Sequence, residues 1–263
     1  SSNTQPALLT HSIAAWRLPD AAGVRPDFVA GHSLGEYSAC VAAGALSFGD
    51  ALALVRRRGE LMYEAGLTNP GAMAAILGLS GAAVEGVCAE AADAGVVRAA
   101  NFNAPGQVVI SGEVAAVDRA CELAKAQGAR RAIRLEVSGA FHSPLMASAA
   151  QGLAEALDAV TIHDARCPIV SNVSATPQRQ ADAIRFALKE QLLGAVRWED
   201  TMRFLVAQQA TCVELGTGVV LRGLLRSLDA SARSANVDDP ESLAATLASL
   251  GVAGATSSAG GTA

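Results

Sequence analysis

Phe28-Val29-Ala30-Gly31-His32-Ser33-Leu34-Gly35-Glu36-Tyr37-Ser38-Ala39 joins an apolar run to a Gly-x-Ser-x-Gly turn and then to the start of a small-residue helix. That order predicts strand, sharp turn and helix, the layout of a nucleophile elbow. In such a turn the flanking glycines, Gly31 and Gly35, are expected where a Cβ at either end would collide. The serine hydroxyl stands exposed above the sheet. The first backbone N–H groups of the helix point towards it and can stabilise an oxyanion. The chemistry implied is acyl transfer through Ser33. The five residues alone leave a second reading open, a Gly-rich turn kept for strand–helix packing.

Outward from the turn the chain reads as an α/β protein. Thr4 can cap a first helix reaching residue 18, with Pro6 in its opening turn. A strand over 27–31 precedes the elbow. Ser47 and Asp50 resemble a capping box that opens a helix to about residue 64. Its apolar positions Ala51, Leu54, Val55, Leu61 and Met62 recur at helical spacing. Between residues 71 and 137 the texture changes. Strands over 73–79, 96–101, 107–111 and 130–137 alternate with helices over 82–94 and 114–127. The order βαββαβ is the ferredoxin-like unit. It reads as a small domain, 71–137, inserted into a larger one formed by 1–70 and 138–250. Beyond it, helices are expected over 144–160, 181–193, 198–208, 220–228 and 241–250. Strands are expected over 168–171, 212–215 and 232–237. Residues 251–263 are small and polar and read as a disordered tail.

Composition narrows the function classes. The 263 residues are 51% hydrophobic but only 4% aromatic, so a large core must be built from Ala, Val and Leu. The net charge of −5 argues against a non-specific nucleic-acid footprint. Cys40, Cys88, Cys121, Cys167 and Cys212 form no Cys-x-x-Cys pair, which suits reduced thiols in the cytoplasm. The histidines have no metal-ligand spacing, and no dinucleotide-binding or P-loop pattern is present, so neither a metal nor a nucleotide cofactor is expected. The opening residues do not resemble a signal peptide. No apolar run approaches the roughly 18 residues of a membrane span.

A serine nucleophile needs a base. His32 neighbours Ser33 and is expected to point away. His11 falls in a helix and His163 near a helix end, where structural or solvated roles suit them. His142 sits in Val137-Ser138-Gly139-Ala140-Phe141-His142-Ser143-Pro144, at a strand-to-helix junction where α/β proteins place catalytic groups. Arg58 stands in the run Arg56-Arg57-Arg58. From pattern alone it reads as a solvated helix charge.

The sequence resembles the malonyl-CoA:acyl carrier protein transacylases and the related acyltransferase domains of fatty-acid and polyketide synthesis. The resemblance runs from Thr4-Gln5-Pro6-Ala7-Leu8-Leu9 to about Leu228. It includes the elbow, Arg57-Arg58-Gly59-Glu60-Leu61-Met62, Gly71-Ala72-Met73-Ala74-Ala75-Ile76 and Asn101-Phe102-Asn103-Ala104-Pro105-Gly106-Gln107. It continues in Gly139-Ala140-Phe141-His142-Ser143, Val196-Arg197-Trp198 and Glu214-Leu215-Gly216-Thr217-Gly218. It implies an α/β-hydrolase-like large domain with a ferredoxin-like insert. It also implies that Ser33 is the nucleophile and His142 the base of a dyad. Gln191 would supply a backbone carbonyl that orients the His142 ring. Arg58, and more weakly Gln5, would hold the malonyl carboxylate, since a guanidinium can meet a carboxylate with two charge-assisted bonds. Asn103 and Gln107 would line the pocket. Leu34 would give an oxyanion N–H, and Leu34 and Phe141 resemble the residues of malonyl-selective members.

The implied partners are malonyl-CoA, CoA and an acyl carrier protein, with no cofactor, no nucleic acid and no membrane, and the protein is expected to be a monomer. The family begins with a strand and a Gly-Gln-Gly-Ser-Gln loop that carries a second oxyanion donor. This sequence is expected to lack both. Two other functions share these features: a serine esterase or thioesterase, which would not need Arg58, and a truncated module that docks a carrier protein without turnover.

Overall fold

The computed structural model describes residues 3–137 and 139–252. Chain order runs α1 (Thr4–Ala21), β1 (Val29–Ala30), α2 (Gly35–Ala42), α3 (Phe48–Thr68), β2 (Ala72–Leu77), α4 (Gly81–Glu90), β3 (Val97–Ala104), β4 (Gln107–Gly112), α5 (Val114–Ala126) and β5 (Arg131–Arg134). It continues with α6 (Ala147–Ala159), β6 (Ile169–Val170), β7 (Pro177–Gln178), α7 (Ala181–Gln191), α8 (Trp198–Ala207), β8 (Cys212–Leu215), α9 (Val220–Leu228), β9 (Ser234–Val237) and α10 (Pro240–Ser249). Of the expected tail over 251–263, residues 253–263 lie outside the described residues.

Strands β2 to β5 form one antiparallel sheet in the order β3-β4-β2-β5. This is the pairing a βαββαβ unit produces when each helix carries the chain across the sheet. Ile76 and Ile110 of the sheet, Val84 and Val87 of α4, and Val117 and Ala124 of α5 close a core that is almost wholly buried. A hydroxyl cap starts α4, with Ser80 Oγ accepting from the Ala83 N–H at 3.2 Å.

The remainder is larger and packs helices about short strands. Parallel β1 and β6 pair Val29 with Ile169 and Ala30 with Val170, and β7 adds an antiparallel edge. Parallel β8 and β9 form a separate two-stranded sheet. A cavity of about 1280 Å³ is lined by both β1 and β8. The main core gathers Leu9 and Ile13 of α1, Tyr37 and Cys40 of α2, Leu54 and Leu61 of α3, Leu153 and Leu157 of α6, and Leu188 of α7. Helix α3 keeps its expected cap: Ser47 Oγ accepts from the Asp50 N–H at 3.0 Å. A backbone bridge joins the two parts, Phe102 N–H to Val196 O at 2.9 Å and Val196 N–H to Ala100 O at 2.8 Å.

Several expectations need correcting. Helix α1 does not stop at residue 18 but runs through Pro19. The proline sits buried in the last turn, where its missing N–H forfeits one bond and packing holds the rest. The strand expected over 27–31 keeps only two residues, as does that over 168–171. Strand β7 had no apolar run to announce it. The two glycines of the elbow are not equivalent either. A Cβ on Gly31 would lie 2.0 Å from the carbonyl carbon and oxygen of Gly35, whereas a Cβ on Gly35 meets nothing within 4 Å. Only the first glycine is demanded by close approach.

Candidate active site

Ser33 and His142 meet at 2.9 Å, Oγ to Nε2. Ser33 sits in the turn between β1 and α2 and His142 in the segment before α6, and each has a positive φ, 51° for Ser33 and 57° for His142. Left-handed backbone on non-glycine residues is costly and persists where the surroundings enforce it. At Ser33 the enforcement is visible. Its N–H donates to Asn172 Oδ1 at 2.7 Å, while Asn172 Nδ2 donates to Gly31 O at 2.8 Å, so one amide side chain clamps both sides of the turn. The Ser33 N–H is spent on Asn172, whereas among the described residues the Leu34 N–H has no acceptor.

His142 is fixed as a hydrogen-bond acceptor at Nε2. Its Nδ1 lies 2.9 Å from Gln191 O and 3.2 Å from Gly194 O. Two carbonyls can only accept, so Nδ1 carries the proton and Nε2 offers a lone pair to the serine hydroxyl. Burial pushes the His142 pKa down to about 3, and the Arg58 charge adds to the effect. The imidazole is therefore neutral across the neutral pH range, and among the described residues Nδ1 meets carbonyls and no carboxylate.

Arg58 is 1% exposed. Its neighbours in the arginine run face solvent: Arg56 pairs with Glu60 and Arg57 lies near Glu60 and Glu64. The guanidinium donates through Nη1 to Gln5 Oε1 at 2.8 Å, and through Nη2 to Ser33 Oγ at 2.9 Å and Gln191 Oε1 at 3.1 Å. Among the described residues its Nε finds no partner. The result is a buried cation held by neutral oxygens beside a serine hydroxyl, an arrangement that could receive an anion.

Gln5, Ser33, Arg58, His142 and Gln191 thus converge. Asn103 and Gln107 do not join them. Asn103 Oδ1 lies 2.8 Å from His32 Nε2, and the His32 ring packs edge-on against Trp198. Both Asn103 and Gln107 line the large cavity, which also takes in His32 and Leu34. Phe141, just before His142, packs between the main core and a small cluster of Met73, Ala100 and Val109.

Two residues escaped the sequence reading. Asn172 follows β6, and a polar residue after a short apolar strand of a parallel pair was the available signal. Glu36 stands in the elbow itself, three residues past the serine. It is 2% exposed, and burial lifts its carboxyl to about 7. Among the described residues no three His, Cys, Asp or Glu side chains gather into a group able to hold a metal ion.

The acyl transferase domain model matches residues 2–230. Among curated proteins, the malonyl CoA-acyl carrier protein transacylase of Bacillus subtilis (strain 168) is 51% identical over 243 residues, 92% of this chain and 77% of that protein. The solved structure of the malonyl CoA-acyl carrier protein transacylase from Coxiella burnetii superposes with a TM-score of 0.91 at 40% identity, covering 94% of this chain and 79% of that one. A type II polyketide-synthase acyl-carrier protein in complex with its malonyl-transacylase gives a TM-score of 0.91 at 43% identity, covering 95% and 81%. With its catalytic-type dyad, its buried arginine and matches over most of its length, the chain belongs to the acyl transferase domain family.

Proposed function

We propose that this chain transfers a malonyl group from malonyl-CoA to the phosphopantetheine thiol of an acyl carrier protein. One observation carries the reading: Ser33 Oγ sits 2.9 Å from a neutral His142 acceptor and 2.9 Å from the buried guanidinium of Arg58. A nucleophile and a carboxylate receptor in one site suit an acyl group that ends in a carboxylate.

Ser33 gives its proton to His142 Nε2 as Oγ attacks the thioester carbonyl. The Leu34 N–H faces the developing oxyanion. CoA departs with the proton from His142 and leaves a malonyl-serine ester. The carrier thiol then surrenders its proton to His142 and attacks the ester, and the departing Ser33 Oγ takes that proton back from His142 Nε2. Throughout, Arg58 and Gln5 hold the malonyl carboxylate, which takes over the Nη2 bond now made to Ser33. Leu34 and Phe141 favour malonyl over methylmalonyl, a discrimination of about 1–3 kcal/mol for one methyl group.

Every group in this scheme comes from one chain, which supports action as a monomer. Five free cysteines support a cytoplasmic setting. Among the described residues no helix is long and apolar enough to cross a membrane. The test is direct. Incubation with malonyl-CoA should add one malonyl group to the peptide containing Ser33, Ser33→Ala should abolish the adduct, and holo carrier protein should discharge it. Discharge to water alone, or a simple ester outcompeting malonyl-CoA, would indicate a hydrolase instead.

A further inference from the structure

Glu36 has no place in the scheme above, yet the site's polar groups lead to it. It lies in the first turn of α2, three residues after Ser33, buried beside Tyr37 and Cys40. Its Oε2 accepts from Gln191 Nε2 at 2.6 Å and its Oε1 from the Asn172 N–H at 3.2 Å. Gln191 Nε2 also donates to Ser33 O at 2.8 Å, while Gln191 Oε1 accepts from Arg58 Nη2 at 3.1 Å. The Gln191 amide is therefore a spacer between the buried Glu36 carboxyl group and the buried Arg58 guanidinium.

The two ends of that amide are not interchangeable. Its NH2 faces two acceptors and its oxygen faces a guanidinium. A flip would set NH2 against Arg58 and oxygen against both the Ser33 carbonyl and the carboxylate. A buried carboxylate is costly, and here each of its oxygens is paired with a buried donor that its removal would leave without an acceptor. We propose that Glu36 is a positioning residue for acyl recognition: it locks the Gln191 amide so that its oxygen holds Arg58 in place for the substrate carboxylate. The proposal rests on the Ser33–His142–Arg58 reading and deepens it.

Both oxygens of Glu36 face donors. A glutamine at this position can satisfy only one, because its own NH2 must then face either the Gln191 NH2 or the Asn172 N–H. Glu36→Gln keeps the shape and breaks the lock. The effect must pass to Arg58 and so fall hardest on substrates that carry a carboxylate.

The experiment measures kcat/KM for Ser33 acylation by malonyl-CoA and by acetyl-CoA, with thermal unfolding as control. Glu36→Gln should lower the malonyl-to-acetyl ratio about tenfold or more, mainly through the malonyl-CoA KM. In a Gln191→Ala background the same substitution should change the ratio little, since its carrier is already gone. Should Glu36→Gln fail to fold, Glu36→Asp retains the charge but withdraws it from Gln191, and the ratio should fall in the same direction. An unchanged ratio, an equal loss for both acyl groups, or full additivity with Gln191→Ala would overturn the proposal. A wild-type chain that malonyl-CoA does not acylate at Ser33 would overturn the site reading as a whole. A wild type that is acylated, with a Glu36 variant that matches its ratio, would remove only the role of Glu36.

Discussion

Arg58 touches both the nucleophile and its neighbours, so its removal should separate two effects. In Arg58→Ala the malonyl carboxylate loses its charged partner inside a buried site, a loss of about 2–5 kcal/mol, roughly 30-fold to 5,000-fold in malonyl kcat/KM. Acetyl-CoA never uses that partner. For acetyl, the variant also removes the positive charge that helps depress the His142 pKa, so acetyl transfer should hold or rise. Steady-state rates with both donors check this, and equal losses would assign Arg58 a structural role. His142 makes a second prediction, on stability. Its folded-state pKa of about 3 lies below the ordinary 6.5. Above pH 6.5 neither state is protonated. Between 6.5 and 3 the unfolded chain takes up a proton that the folded chain refuses, so stability must drop as pH falls through that window. Glu36 acts in the opposite sense: its carboxyl, raised from 4.5 to about 7, makes stability drop as pH rises between those values. Thermal unfolding of wild type and His142→Gln from pH 7 to pH 4 should show a shallower acid-side loss in the variant, because the titrating imidazole is gone.

At the scale of elements, the elbow explains which parts of the sequence spoke clearly. Gly31→Ala would drive a Cβ to 2.0 Å from the Gly35 carbonyl, so the turn cannot close and the variant should lose its folded state or much of its thermal stability. Gly35→Ala meets open space in the first turn of α2, where alanine is favoured over glycine by about 1 kcal/mol. Its unfolding temperature should match or exceed that of the wild type. Two equal losses would mean that both glycines serve the turn. The sequence motif treats the two alike; the distinction needs the backbone approach, which no one-dimensional pattern contains. Periodic helices such as α3 and the βαββαβ order were legible because apolar spacing and caps are local. The two-residue strands β1 and β6 were blurred at their ends because tertiary pairing sets them. Strand β7, with Pro177 and Gln178, has no local signature at all. In the site, Ser33 and His142 could be read from position, but Arg58 could not. Three adjacent arginines look alike until α3 turns one inward, and only the family resemblance singled it out beforehand.

The whole molecule turns on how the small antiparallel sheet meets the elbow. The Phe102–Val196 bridge ties the sheet to the segment between α7 and α8, and at the elbow itself Asn103 Oδ1 on β3 accepts from His32 Nε2 next to the nucleophile. The sequence resemblance offers Asn103 as part of the substrate pocket, while the structure gives its oxygen to an imidazole; the two roles predict different outcomes for Asn103→Ala. If the side chain chiefly ties the sheet to the elbow, the variant leaves His32 Nε2 without its partner beside Trp198. Burial already holds the His32 pKa low, so the ring does not recover by taking up a proton. An unpaired polar group of this kind costs about 1–3 kcal/mol, so the unfolding temperature should fall by several degrees. The malonyl-CoA KM should then move less than about threefold, since a loss of at least 1.4 kcal/mol in substrate binding would be needed for a tenfold change. A KM raised tenfold with an unchanged unfolding temperature would reverse the assignment, making Asn103 a substrate contact and leaving the backbone bridge as the tie between the two parts. Measuring both quantities on the same variant decides between the roles, because neither role can mimic the other's pair of results.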